Sequence, residues 1–180
     1  MNIDELRAAV SAGKRFKYVF FWGHQKRSDG VLTSSCFSQW YSAPFDIESQ
    51  RYPTAEHYMM AEKARLFGDN SALESILKAP NPGAAKSLGR GVRGFKEEIW
   101  EKHRFDVVVR ASVAKFGQNE GLREYLGNTK ERVLVEASPV DRIWGVGLAS
   151  DDSRIENPME WRGLNLLGFA LMEARARLKT

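Results

Sequence analysis

Residues 51–64 read RYPTAEHYMMAEKA, and this stretch predicts the helix around which the fold is organised. Pro53 keeps the residue before it out of the helical region, and Thr54 is a favourable N-cap for the first turn. We expect the helix to run to Phe67 and to stop at Gly68, because glycine is favoured immediately after a helix.

Glu56 is the unusual residue of this predicted helix. Residues at helical spacing form a stripe that is apolar apart from two members: Glu56, Met59, Met60, Lys63, Ala64 and Phe67. Burying an unpaired carboxylate is costly, so this position favours a polar cavity beside the helix. The alternative is that Glu56 only stabilises its own helix, since acidic residues are favoured in the first turn.

The composition is typical of one soluble globular domain. The chain has 180 residues, 43% of them hydrophobic, and a formal net charge of +4, which mildly favours an anionic ligand. The single cysteine, Cys36, excludes an intramolecular disulfide and fits a reducing cytoplasm. No apolar run reaches membrane-spanning length. No metal or cofactor is predicted, because the three histidines lack a metal-binding spacing.

The remaining segments predict an α+β fold that is predominantly helical and has a small sheet. Residues 16–22 and 133–138 are typical of strands, and residues 31–38 are expected to pair back on the first strand as a hairpin. Further helices are predicted at residues 2–12, 69–78, 81–89, 95–116 and 120–126, with a last one after residues 161–168. We expect residues 1–15 to be a helical extension and residues 16–180 to form one domain.

Two segments have the composition of a ligand site. Residues 89–94 read GRGVRG, in which a glycine-rich turn with Arg90 and Arg93 suits a phosphate; the alternative is a solvated turn, because the Walker signature is missing. Residues 36–45 read CFSQWYSAPF, which indicates either a loop fixed to the core by its rings or a wall for a flat heterocycle.

Two single residues are also candidates. Asp141 follows a buried strand and precedes a segment of small residues that allows close approach of a ligand; the alternative is a turn aspartate bonded to its own backbone. Asn165 is predicted inside the last helix, where a buried amide must be hydrogen-bonded. It either braces a neighbouring loop or contacts a ligand.

These segments, in this order, resemble the NADAR-domain family of YbiA-like N-glycosidases over about residues 18–178. The matching pieces are CFSQWY at 36–41, YPTAEHY at 52–58, LGR at 88–90, KF at 115–116, LVEAS at 134–138, Asp141, WGVG at 144–147 and GLNLLG at 163–168. The chain departs from the family pattern at residues 39 and 40, where the family commonly has asparagine and a smaller aromatic residue. The resemblance implies a helix-dominated α+β fold.

The resemblance also implies a reaction and a catalytic set. Similar bacterial proteins cleave the N-glycosidic bond of ribosylamino-pyrimidine 5′-phosphates, early riboflavin intermediates, and release ribose 5-phosphate. Other members remove ADP-ribose from modified guanine, so ADP-ribosylated nucleic acid is an alternative partner, and a non-catalytic ADP-ribose-binding module is a third interpretation. The family's catalytic glutamate, tryptophan and aspartate correspond to Glu56, Trp100 and Asp141.

Breaking a C1′–N bond builds positive charge on the ribose, which carboxylates stabilise. We expect Glu56 to stay ionised because the helix N-terminus favours an anion, and Asp141 to position the water or the leaving group. The assignment of the two carboxylates stays open, since burial raises the pKa of either. Trp100 is expected to stack on the base or to shield the cation.

The remaining predicted site residues are assigned to substrate binding. The 5′-phosphate is expected at Arg90, with Arg93 or Lys63 as further cations. The rest of the predicted set is Tyr52, Trp144 and Asn165. The sequence leaves the oligomeric state open.

Overall fold

A computed structural model describes residues 1–179; Thr180, the predicted end of the main domain, lies outside the described residues. The helices are α1 Ile3–Ser11, α2 Ala55–Leu66, α3 Asn70–Leu77, α4 Pro82–Arg90, α5 Glu97–Gly117, α6 Glu120–Gly127 and α7 Leu166–Leu178. The strands are β1 Tyr18–Phe21, β2 Phe45–Ile47, β3 Gln50–Tyr52 and β4 Val133–Glu136. Short 3-10 helices span Ser34–Phe37 and Pro158–Glu160. The predicted class, α+β and mostly helical with a small sheet, is confirmed.

Helix α2 is the centre of the fold. Its start is as predicted, because the hydroxyl of Thr54 accepts a hydrogen bond from the backbone N–H of His57, and Gly68 follows its end with φ +69°. Every residue from 55 to 61 is buried. Helices α3, α4 and α5 all pack against α2, so it is enclosed on most sides rather than along the single predicted stripe.

The principal strand pair is parallel, and the predicted hairpin is wrong. β1 pairs with β4 in the register Tyr18↔Val133 to Phe21↔Glu136, and residues 34–37 instead form a 3-10 helix. The apolar side chains in that segment pack into the core without strand pairing, as Cys36 shows. A parallel pair needs a long crossover, which α2 to α6 supply. The carboxyl ends of β1 and β4 therefore lie at the same edge.

A second, antiparallel pair was not predicted. β2 and β3 form a hairpin in which Phe45 pairs with Tyr52. Its two turn residues, Glu48 and Ser49, have φ of 50° and 64°, as a two-residue type I′ turn requires. The sequence lacks the Asn-Gly or Asp-Gly signal that usually marks such turns.

The start of α7 differs from the prediction. Asn165 lies before the helix in a left-handed conformation with φ 54°, and its side chain is fully buried. Its Oδ1 accepts from the backbone N–H of Glu136 at 3.0 Å, and its Nδ2 donates to the carbonyl of Leu134 at 2.8 Å. Gly168 faces the same strand, where a Cβ would overlap the Leu134 carbonyl oxygen. Asn165 thus braces the end of β4.

Helix α1 packs on the far side of the parallel strands. Ile3 and Leu6 are buried in a cluster that includes Val133 and Val135 of β4, and Arg7 donates to the carbonyl of Trp161 at 2.9 Å. Among the helices of residues 1–179, none is both long and apolar enough to cross a membrane.

Candidate active site

A cavity of about 150 Å³ lies between α2, α4, α5 and the segment that follows β4. Six of the nine predicted site residues line it: Glu56, Lys63, Arg90, Trp100, Asp141 and Trp144. Three other lining residues, Ser38, Gln39 and Trp40, belong to the aromatic segment 36–45 that was one of the two candidate ligand segments. No site role was predicted for the rest of the lining: Met59, Met60, Lys86 and Glu136. A larger groove of about 510 Å³ is lined by α6 and α7 residues, but the predicted site residues lie elsewhere. The smaller cavity is therefore the candidate site.

Glu56 lies in the first turn of α2 and is 2% exposed. The indole Nε1 of Trp40 donates to its Oε2 at 3.1 Å, while its Oε1 is buried without a hydrogen-bond partner among the described residues. Burial raises the pKa of Glu56 to about 7; the Lys86 charge and the Trp40 bond oppose this rise, and the Asp141 charge adds to it. The N-terminus of α2 thus does not keep Glu56 fully ionised near neutral pH, contrary to expectation.

The aromatic loop at residues 36–41 is held in place from two sides. The carbonyl of Gln39 accepts from the backbone N–H of Glu56 at 3.0 Å. The fully buried Nζ of Lys115 donates to the carbonyls of Cys36 and Ser38 at 2.6 and 2.8 Å, and burial lowers the pKa of Lys115 to about 7. These bonds fix the loop so that its Trp40 reaches Glu56.

Asp141 forms the turn predicted as its alternative role and also lines the cavity. Its Oδ1 accepts from the backbone N–H groups of Ile143 and Trp144 at 2.9 and 2.8 Å, which makes it a turn aspartate. Its own backbone N–H donates to Ser138 Oγ at 3.1 Å. The same residue lines the cavity, so the turn places a carboxylate at the site.

Glu136 is a third carboxyl group of the cavity, and the sequence analysis missed it. It is the last residue of β4, and its Oε2 is buried without a hydrogen-bond partner within residues 1–179. Burial raises the pKa of Glu136 to about 8; the charges of Asp141 and Glu56 act in the same direction, and that of Lys86 opposes them. The sequence pattern that could have identified Glu136 is a single acidic residue at the end of an otherwise apolar strand.

Helix α4 supplies two cations, Lys86 and Arg90, one helical turn apart. The predicted glycine-rich turn is wrong in its first part, because Gly89 and Arg90 belong to the helix. A Cβ at Gly89 would overlap the side chain of Met60, so this glycine permits α4 to pack closely on α2. Lys86 was missed, although its i, i+4 spacing from Arg90 places both on one helix face.

The other predicted phosphate ligands differ in position. Arg93 lies outside the cavity and pairs with Asp69, with Nη2 2.8 Å from Oδ1, so it does not join the site cations. Lys63 lines the cavity, and its Nζ is 4.0 Å from the ring centroid of Phe95. Partial burial lowers the pKa of Lys63.

Trp100, near the start of α5, is 7% exposed and lines the cavity as predicted. Two predicted substrate-binding residues are not brought to it. Tyr52 packs in the core, with its ring centroid 5.0 Å from that of Tyr58, and Asn165 bonds to the backbone of β4. Neither lines the cavity, although Asn165 holds the backbone of Glu136, which does.

Comparisons with known proteins give a consistent result. A family model described as NADAR domain matches residues 20–179. N-glycosidase R617 of Acanthamoeba polyphaga mimivirus is 43% identical over 164 residues, which cover 88% of this chain and 95% of that protein. N-glycosidase YbiA of Escherichia coli (strain K12) is 32% identical over 151 residues, 84% of each chain.

The fold agrees with a solved structure as well. The NMR structure of the Escherichia coli protein YbiA matches with a TM-score of 0.73 and 28% identity, and covers 92% of this chain and 87% of that one. The chloroplastic riboflavin biosynthesis protein PYRR of Zea mays is 36% identical over 135 residues, which are 71% of this chain and 20% of that protein.

Proposed function

The chain belongs to the NADAR-domain family, and from this premise we propose that it is an N-glycosidase, a hydrolase that cleaves the C1′–N bond of ribosylamino-pyrimidine 5′-phosphates. The products are ribose 5-phosphate and a free aminopyrimidine. The single observation that carries the proposal is the convergence of Glu56, Asp141 and Trp100 on one cavity. The resemblance seen in the sequence is confirmed, and the relatives R617 and YbiA are named N-glycosidases.

Glu56 is the central group of the proposed mechanism. Departure of the base leaves positive charge on the ribose, and a carboxylate beside C1′ stabilises it. The ionised form of Glu56 increases as pH rises through its pKa of about 7, and this form accepts a proton from the attacking water. Asp141, held rigidly by backbone N–H groups, positions the water or the sugar hydroxyls. Trp100 presents an aromatic face to the base or the cation.

The size of the cavity indicates which part of the substrate it encloses. At about 150 Å³ it is smaller than the roughly 300–1,000 Å³ of typical ligand pockets. We infer that the ribose and the bond to be cleaved lie inside, while the 5′-phosphate lies at the mouth. Arg90 is exposed there and Lys86 is partly buried, so both are suited to bind the phosphate.

Two further observations support the choice of a riboflavin intermediate. The Zea mays relative carries riboflavin biosynthesis in its name, and a compact substrate suits the small cavity. ADP-ribosylated guanine has the same type of bond but a larger sugar-bearing group.

The buried free thiol of Cys36 suits the reducing cytoplasm, where we place the enzyme.

The test presents both substrate classes to the purified protein. A ribosylamino-pyrimidine 5′-phosphate and an ADP-ribosylated guanosine are incubated in parallel, and release of ribose 5-phosphate or ADP-ribose is followed by mass spectrometry. We expect release from the first substrate, with a loss of several orders of magnitude in Glu56→Gln and normal turnover in Glu74→Gln, a control at an exposed position of α3.

Three outcomes would contradict the proposal. Release of ADP-ribose alone would identify a hydrolase of ADP-ribosylated guanine. Tight binding of either compound without turnover would identify a binding module. A folded and fully active Glu56→Gln protein would remove Glu56 from the mechanism.

A further inference from the structure

The backbone of Glu136 is fixed by hydrogen bonds and by close packing of a neighbouring segment. Its backbone N–H is bound by Asn165 Oδ1 at 3.0 Å, and its carbonyl accepts from the N–H of Val146 at 3.0 Å. At Gly145 a Cβ would lie 2.9 Å from that carbonyl oxygen, so the neighbouring segment approaches as closely as a glycine allows. The backbone of Glu136 is therefore fixed on both sides while its side chain lines the cavity.

The carboxyl group of Glu136 has few of the partners that a buried anion needs. Its Oε2 is buried and has no hydrogen-bond partner among the described residues. The charged groups that influence it are Asp141 on its own segment, Glu56 on α2 and Lys86 on α4. Two of these are acidic, so the surroundings favour a neutral carboxylic acid, and burial acts in the same direction.

A neutral carboxylic acid beside two carboxylates suits one step of glycoside cleavage. The leaving nitrogen takes up the electron pair of the C1′–N bond and needs a proton as it departs. In two-carboxyl glycosidases the residue with the raised pKa donates this proton, and the other acts on the water or the sugar. Glu56 and Asp141 occupy the second role in the mechanism above.

We propose that Glu136 is a third catalytic residue, the acid that protonates the leaving nitrogen. The inference rests on the proposed N-glycosidase function and extends it. The C1′–N bond breaks with both electrons going to nitrogen, and the Glu136 proton forms the new N–H bond. Water forms the C1′–O bond and gives one proton to Glu56. That proton returns to Glu136 through solvent, so the net reaction consumes one water and releases both products.

The measurement is the dependence of kcat on pH for the wild-type enzyme, Glu136→Gln and Glu131→Gln. Glutamine keeps the shape of Glu136 but carries no acidic proton. Glu131 is the matched control, since it lies just before β4, is exposed and pairs with Lys179 at 3.1 Å, far from the cavity. Substrate affinity and thermal unfolding are measured on the same samples.

We expect a bell-shaped profile for the wild-type enzyme and for Glu131→Gln. Glu136→Gln should lower kcat by about 10²–10⁴-fold, the usual contribution of a general acid. It should also abolish the alkaline limb and leave KM within about threefold, because the loss falls on the transition state. A residue that only supports the fold would change stability or KM and leave the alkaline limb in place.

The inference and the proposed function fail in different ways. A wild-type protein that cleaves no ribosylamine overturns both. An active wild-type protein whose alkaline limb persists in a folded Glu136→Gln variant overturns the role of Glu136 alone. If Glu136→Gln does not fold, Glu136→Asp replaces it. This variant keeps an acid on a shorter side chain, and an unmoved alkaline limb with full kcat would refute the proposal.

Discussion

Replacing Glu56, the proposed catalytic carboxylate, by glutamine should stabilise the protein at alkaline pH while abolishing turnover. The pKa of Glu56 rises from 4.5 to about 7 on folding, chiefly through burial. A carboxyl group with a raised pKa favours the folded state below its unfolded pKa, and this contribution is lost as pH rises through the folded pKa. The wild-type protein therefore loses stability between about pH 4.5 and pH 7, and the glutamine variant avoids this loss.

The size of the effect follows from the shift in pKa. One pKa unit corresponds to about 1.4 kcal/mol, so the rise of Glu56 from 4.5 to about 7 amounts to about 3 kcal/mol above neutral pH. For a chain of this length each kcal/mol moves Tm by roughly 2–4 °C. We therefore expect Glu56→Gln to melt about 6–12 °C above the wild-type protein at about pH 9 and only slightly above it at about pH 5.

The assay is thermal unfolding by circular dichroism across this pH range, with Glu74→Gln as an exposed-glutamate control that should follow the wild-type curve. Glutamine keeps an oxygen that accepts from Trp40 Nε1, so the comparison isolates the ionisation. A Tm difference between Glu56→Gln and wild type that does not grow with pH would refute the assignment of Glu56 as a buried titrating group.

Three further substitutions test other contacts of the site. Gly168→Ala forces a methyl group into a backbone carbonyl of β4, so it should cost about 3 kcal/mol in denaturant unfolding, at the upper end of the usual range for overpacking. The cost should exceed that of Gly89→Ala, whose methyl group meets the flexible side chain of Met60; equal costs would contradict the described packing. Trp40→Phe removes the donor to Glu56, so the acid limb of the pH–rate profile should move to higher pH, and an unmoved limb would count against that bond. Arg90→Ala should raise KM about tenfold or more with little change in kcat; an unchanged KM would place the phosphate elsewhere.

The sequence was informative where local chemistry decides the structure. The N-cap at Thr54, the strand run at residues 133–136 and the stop at Gly68 each have a short-range physical cause, and all three were predicted. Glu56 was recognised because a carboxylate on an apolar stripe conflicts with burial. The same conflict exists at Glu136, but there the strand pattern of residues 133–138 drew attention to burial and not to its one acidic residue.

Other features depend on contacts between distant segments. β1 pairs with β4 only because the long crossover between them brings the two strands together. Residues 31–38 are much closer to β1 in sequence, and they were therefore predicted, wrongly, as its partner. Gly89 was predicted as part of a glycine-rich turn, because the contact that requires a glycine there, the side chain of Met60, lies on another helix. Asn165 was expected inside a helix, whereas its amide replaces a missing strand partner for β4.

The parallel pairing of β1 and β4 also governs when the enzyme becomes active during its synthesis. Ribosomes deliver the N-terminal part of a chain first, and contacts between distant segments form late. Glu56 and the cations of α4 emerge well before β4, which brings Glu136 and Asp141. The candidate active site is therefore assembled from an early and a late half. A nascent chain that has not yet paired β1 with β4 holds α2 without Glu136 and Asp141, so we expect it to have no glycosidase activity until that pairing forms.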